Sequence, residues 1–139
     1  MNITHRIAKS FGQQSMMTTL GAGIDLVEPG KVVLSAPILE SSRQQQGVAH
    51  AALTFALGDT AAGYAALTCM PEDVEVMTAE IKINLLAPGR GELLRATGRV
   101  LKPGRRLVVV SAEVHAIEDG AETLIAVMQG TMVPVPVSS

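Results

Sequence analysis

The sequence predicts an α+β domain in which one long helix is wrapped by an antiparallel sheet. The first observation is the segment from Ala51 to Leu67. It is built from Ala, Leu, Phe and Gly, with Thr54, Asp59, Thr60 and Tyr64 its only polar side chains. A helix this apolar needs burial on nearly all sides. The second observation is the half that follows, where apolar residues alternate between Pro-Gly and Asp-Gly turns, as in strands. The third is a length of 139 residues, enough for one domain with a real core, expected to span 1–139.

Taken in order, Thr4 to Gly21 reads as one or two short helices with Ile7, Phe11, Met16, Met17 and Leu20 as apolar contacts. Gly23-Ile-Asp-Leu-Val-Glu and Lys31-Val-Val-Leu-Ser-Ala-Pro flank Pro29-Gly30, a turn dipeptide, so a hairpin is expected. Ser41 to Gly47 is a polar loop leading into the long helix, which should run from about His50 to Cys69, before Pro71. Four strands then follow as a meander: Glu75 to Leu86, Gly91 to Leu101, Leu107 to Ile117 and Thr123 to Val133. Pro103-Gly104 joins the middle pair, and Asp119-Gly120 precedes the last strand. Pro134 and Pro136 are expected to end pairing, since proline cannot donate to a ladder. The sheet leaves a face or edge to cover, so dimerisation is expected.

Composition removes several function classes. Net charge is only -2, and with no Trp the residues Phe11, Phe55 and Tyr64 cannot build a stacking platform, so a nucleic-acid partner is not expected. Cys69 is the only cysteine, which excludes an internal disulfide and a thiolate metal cluster. His5 and His115 are too isolated to make a metal site. The N-terminus is too polar for a signal peptide, and the apolar run carries Asp59 and falls short of the roughly 20 residues of a membrane span. A soluble cytoplasmic protein without a membrane partner is expected.

Asp59 is then the residue to explain. An ionised carboxylate in a dry core is costly, so it requires partners, an altered pKa or a cleft that water enters. Perturbed carboxylates concentrate at functional sites, although structural ion pairs produce them too.

The surrounding motif resembles the hotdog-fold thioesterases, in particular the phenylacetate-degradation (PaaI-like) acyl-CoA thioesterase group. Their pattern of Asn, then Gly-x-x-His-Gly-Gly, then Leu-x-Asp-x-Ala on the central helix reads here as Gln44, Gly47-Val-Ala-His50-Ala51-Ala52 and Leu57-Gly-Asp59-Thr-Ala61. Thr78 to Gly89 and Gly98 to Arg106 resemble the family as well, so the likeness spans about Phe11 to Val133. Two departures stand out: glutamine replaces the family's asparagine, and Ala51-Ala52 replaces its glycine pair.

The resemblance implies a hotdog fold and hydrolysis of an acyl-CoA, with coenzyme A arriving as part of the substrate and no further cofactor. It implies Asp59 as general base or nucleophile, with Thr78 orienting the water or holding the carboxylate. Gln44 would contact the thioester or the water. Backbone N–H groups near His50 and Ala51, with the Gly47 turn before them, would polarise the carbonyl at the positive end of the helix dipole. Lys102, Arg105 and Arg106, and less directly Arg90 and Lys82, are candidates for the CoA phosphates.

Helix geometry adds a constraint of its own. His50 and Asp59 are nine residues apart, which puts them on roughly opposite sides of a helix and about 13 Å apart along it. A two-fold dimer resolves this by setting Gln44, His50 and Ala51 of one chain against Asp59 and Thr78 of the other, and shared sites are also what the family implies. A dimer of dimers is expected. A second reading is a non-catalytic acyl-CoA sensing module, which would need no competent carboxylate. A hotdog hydratase is a third, disfavoured by the opposed faces of His50 and Asp59.

Overall fold

The computed structural model describes residues 2–137. Two helices, α1 (Ile3–Gly12) and α2 (Ser15–Leu20), precede the hairpin of β1 (Gly23–Glu28) and β2 (Lys31–Pro37). A short 3-10 turn (Glu40–Ser42) leads to α3 (Ala51–Leu67), followed by β3 (Val74–Leu85), β4 (Leu93–Lys102), β5 (Val108–Glu118) and β6 (Ala121–Pro136). All six strands form one antiparallel sheet in the order β1-β2-β4-β5-β6-β3, and α3 packs against it as the hotdog arrangement requires.

The strand order corrects the expected four-strand meander. Only β4, β5 and β6 are successive neighbours; β3 pairs instead on the far side of β6, with Ile83 opposite Met128. Close packing explains the difference. A Cβ at Gly98 would sit 2.3 Å from the carbonyl carbon and oxygen of Ala61, so β4 passes directly beneath the middle of α3. There it is flanked by β2 and β5, and β3 takes an outer edge.

The C-terminal prolines also behave differently from expectation. β6 continues to Pro136, with Pro134 opposite Val76 and Pro136 opposite Val74. Its pairing with β5 stops at Met132, so this last stretch has a neighbour on one side only. Proline is tolerated where a strand edge asks no donor of it.

Burial of α3 is uneven rather than all-round. Every residue from Ala61 to Leu67 is buried. In the first two turns only Leu53, Thr54, Leu57 and Gly58 are covered, while Ala51, Ala52 and Phe55 are exposed. Among the methionines, Met17 and Met70 fill the core, whereas Met16 and Met77 stand exposed. At the far end of α3 the Arg6 guanidinium donates to the carbonyls of Leu67 (3.2 Å), Met70 (2.8 Å), Val74 (3.0 Å) and Pro71. A cation on carbonyls at and just beyond the C-terminus of the helix is also favourable to its dipole. This contact ties α1 to the end of α3 and fixes the wall beside Asp59.

Candidate active site

Asp59 sits half-buried on the side of α3 that faces β3. Between Thr78 and Glu80 the β3–β6 register slips by one residue, a bulge of the kind that re-aims a side chain. Beside that bulge the Thr78 hydroxyl donates to Asp59 Oδ1 at 2.7 Å. Met132 Sδ lies 3.3 Å from the same hydroxyl, but one proton serves one strong acceptor, and the carboxylate is the stronger. Burial pushes the Asp59 carboxyl above the ordinary carboxylate range, and the Thr78 hydrogen bond draws it part of the way back. Among the described residues no Lys, Arg or His lines the surrounding cavity of about 140 Å³. Asp59 is therefore held by a hydroxyl and not by a cation, which keeps its lone pairs basic.

Four polar residues that sequence reasoning passed over share this cavity. Gln14 Nε2 donates to the Tyr64 hydroxyl at 2.7 Å, Ser10 Oγ lies 3.0 Å from that hydroxyl, and Ser10 Oγ donates to Glu75 Oε1 at 3.3 Å. Burial, above all, raises the Tyr64 phenol above its ordinary value; bonds to Ser10 and Gln14 oppose this and the Glu75 charge adds to it. The available signal was Tyr64 itself, the only tyrosine, five residues beyond Asp59 on the same helix. Ser10 and Gln14 come from α1 and the break before α2, and only the fold brings them here.

The start of α3 forms a second, separate cavity of about 480 Å³, lined by Gln44, Gln46, His50, Ala51, Thr54 and Arg90 among others. His50 is the N-cap: its Nδ1 accepts from Ala52 N–H at 2.9 Å. The expectation of a free N–H on His50 is corrected, because that group donates to Ser42 O at 2.9 Å. Satisfying backbone donors is the general rule, and here the Ser42 turn and the imidazole take two of them. Among the described residues no acceptor within the chain meets Ala51 N–H, the first donor of the helix proper.

Gln44 is fixed by its own turn. Its N–H donates to Val48 O at 2.9 Å, its carbonyl accepts from Gly47 N–H at 3.0 Å, and its Oε1 accepts from Gln46 N–H. Gly47 has φ 85°, a left-handed conformation that glycine adopts without penalty, and it lines neither this cavity nor that of Asp59. Arg43 braces the turn through Gly47 O (2.7 Å) and Ile38 O (2.9 Å). Of the three glutamines, Gln44 and Gln46 reach the cavity and Gln45 does not.

The two cavities have no lining residue in common. Within one chain, Asp59 and Thr78 are brought together, as are Gln44, His50 and Ala51, but the two sets are not. Lys102, Arg105 and Arg106 lie on the exposed β4–β5 tip and line neither cavity, whereas Arg90 borders the Gln44 cavity directly. Among the described residues no cluster of three or more His, Cys, Asp or Glu converges as metal ligands do, and no helix is long and apolar enough to cross a membrane.

Comparison with known proteins fits this geometry. The thioesterase superfamily matches residues 46–123, a stretch that contains His50, Asp59 and Thr78 and stops just short of Gln44. A thioesterase family protein from Silicibacter pomeroyi is 39 % identical and superposes with a TM-score of 0.95, covering 98 % of this chain and 100 % of that one. The 1,4-dihydroxy-2-naphthoyl-CoA hydrolase of Listeria monocytogenes is 28 % identical over 117 residues, 84 % of this chain and 93 % of that protein. The PaaI protein of the E. coli phenylacetic acid degradation operon, 19 % identical, shares the fold with a TM-score of 0.83 over 99 % of both chains. By sequence and by fold this chain belongs to the thioesterase superfamily, and it is a hydrolase of thioesters.

Proposed function

We propose that the substrate is an acyl-CoA and that the reaction takes place at a site completed by a second copy of the chain. Asp59 acts as general base toward water, or as nucleophile, on the thioester carbon. Ala51 N–H, at the positive end of α3, stabilises the developing oxyanion, and such a donor is commonly worth about 3–4 kcal/mol. Gln44 contacts the thioester or the attacking water. The observation that carries this reading is a burial-raised carboxylate held by Thr78 in one cavity, and an unpaired helix-start N–H in another. Neither half is sufficient alone.

A two-fold assembly sets one chain's Asp59 cavity against its partner's Ala51 cavity, and a dimer of dimers follows the same logic. Exposed small residues at the start of α3 and the open edge of β3 are surfaces such an assembly would cover. No cofactor enters beyond the CoA of the substrate, and the working compartment is the cytoplasm. The CoA of the Listeria enzyme's substrate supports the carrier assignment by relationship. Arg90, which borders the Gln44 cavity, is a cation for its phosphates, with Lys102, Arg105 and Arg106 contributing from the β4–β5 tip of the assembled dimer.

The test is hydrolysis of a small acyl-CoA panel. Asp59→Asn and Asp59→Ala should both fold and lose about 10²–10⁴-fold in kcat. Full turnover in either would remove Asp59 from the chemistry. A parent protein that binds CoA esters tightly without cleaving any would instead be a sensor. Sharing of the site is tested by mixing Asp59→Ala with Gln44→Ala. Hybrid dimers should regain activity, and no rescue after demonstrated subunit exchange would exclude a composite site.

A further inference from the structure

The β4–β5 hairpin gathers positive charge on a chain that is otherwise mildly acidic. From Leu93 to Ala112 there are five cations, Arg95, Arg99, Lys102, Arg105 and Arg106, and no Asp or Glu, although the net charge of the whole is -2. Arg95 is paired with Glu122. Among the described residues no carboxylate pairs with Lys102, Arg105 or Arg106 at the tip.

The same tip is apolar at both of its ends. Every residue from Leu101 to Leu107 is exposed, and these two leucines are 53 % and 56 % open to solvent. The register of β4 against β5 slips between Val100 and Lys102, so Leu101 is the unpaired residue of a bulge. Val108, next in the chain after Leu107, is already buried. Pro103 fixes its own φ, and a Cβ on Gly104 would lie 2.3 Å from the Leu107 carbonyl oxygen, so the turn folds tightly onto itself. A preformed loop gives up little conformational entropy when it docks.

What such a tip fits follows from its two components. The phosphates of a soluble ligand such as CoA would engage the cations and leave both leucines in water. An acidic protein segment would use the charges in the same one-sided way. A bilayer of anionic lipid offers both partners side by side: phosphates for the cations, and acyl-chain carbons just beneath them for the leucines. Among the described residues no helix is long and apolar enough to cross a membrane, and a surface contact requires none.

We propose that the β4–β5 tip seats the protein reversibly on an anionic lipid surface. Leu101 and Leu107 insert among the acyl chains, and Lys102, Arg105 and Arg106 meet the lipid phosphates. Each cation contributes about a fivefold gain in partitioning, which gives a contact that forms and releases rather than a permanent anchor. The proposal is independent of how Asp59 acts. The same cations also serve CoA phosphates in the proposed assembled site, and the leucines separate the two uses.

The experiment is flotation of the full chain with vesicles of phosphatidylcholine alone, and of phosphatidylcholine mixed with phosphatidylglycerol. The parent should float with the mixed vesicles at low salt, stay behind with the neutral ones, and be released as salt shortens the Debye length. Exchanging the cations together (Lys102→Gln, Arg105→Gln and Arg106→Gln) should weaken partitioning by about 100-fold, roughly fivefold for each. The decisive variant is Leu101→Ser with Leu107→Ser, which leaves every charge in place. It should weaken partitioning by at least about tenfold at the same salt, because a few methylene groups withdrawn from lipid lose that much. Its hydrolysis of a short-chain CoA ester should match the parent's. Equal flotation of the parent with neutral and anionic vesicles, flotation with neither, or a leucine variant that floats like the parent would each overturn the proposal. Binding to poly-glutamate as tight as to vesicles, and indifferent to the leucine exchange, would overturn it as well and assign the tip to an acidic protein.

Discussion

Thr78→Val isolates what the hydroxyl does for Asp59. Valine matches threonine in shape and is at least as content in a strand, so the change removes a donor with little else. In the parent that donor meets Asp59 Oδ1 at 2.7 Å, a short bond to a charged acceptor. Bonds of this class contribute about 1.5–3 kcal/mol. Thr78 is itself exposed, so water replaces part of the loss, and the lower end, about 1–1.5 kcal/mol, is the better figure here. That corresponds to roughly a five- to tenfold fall in kcat/KM at neutral pH. The sign of the accompanying pH effect is also fixed. The Thr78 bond lowers an Asp59 pKa that burial raises, so losing it moves the carboxyl further up. The acid limb of the pH–rate profile should therefore move to higher pH in Thr78→Val and stay in place in Thr78→Ser, which keeps the donor. Steady-state hydrolysis of a CoA ester across the acid range measures both effects. A valine variant with the parent's rate and the parent's acid limb would show that the hydroxyl neither holds nor tunes the base.

Asp59→Asn should stabilise the fold while disabling it. A carboxyl whose pKa is raised on folding penalises the ionised native state fully above the folded value; the penalty fades as pH falls through that value and is gone below 3.8. Thermal melts should therefore show the asparagine variant above the parent at neutral pH and the gap closing in acid; a constant gap would contradict a burial-raised carboxylate. Gly98→Ala tests the contact that sets the sheet order, because its Cβ would lie 2.3 Å from Ala61 backbone atoms and 2.5 Å from Ala62 N, none of which can rotate aside. Overpacking of this kind costs about 1–3 kcal/mol, and at the upper part of that range the Tm should fall by roughly 10 °C. An unchanged melt would mean that α3 and β4 separate freely.

Local rules made much of this fold legible. Pro29-Gly30 and Asp119-Gly120 mark turns by backbone preference alone, and the apolar run of Ala51–Leu67 can only be a helix or a buried strand too long to exist. What local rules could not reach was which strand lies next to which. The decisive atom is the one Gly98 lacks, and a missing Cβ in an alternating strand looks like any other glycine until the helix above it is known. The prolines of β6 misled for a related reason. Pro134 and Pro136 forbid a donor, but whether a donor is wanted depends on β5 having already ended.

The site divides along the same line. Asp59 was conspicuous because burying a carboxylate in an alanine-rich helix violates the pattern around it, and Thr78 followed from the motif. Ser10, Gln14 and Glu75 violate nothing: polar residues on a short helix, at a helix break and at the start of a strand are ordinary in sequence. They acquire chemical meaning only because Arg6 clamps α1 onto the end of α3, which brings Ser10 within 3.0 Å of the Tyr64 hydroxyl. Charge is therefore visible one residue at a time. The sense in which a hydrogen-bond chain points, from an amide that must give to a carboxylate that must take, belongs to the assembled wall and to no single position in it.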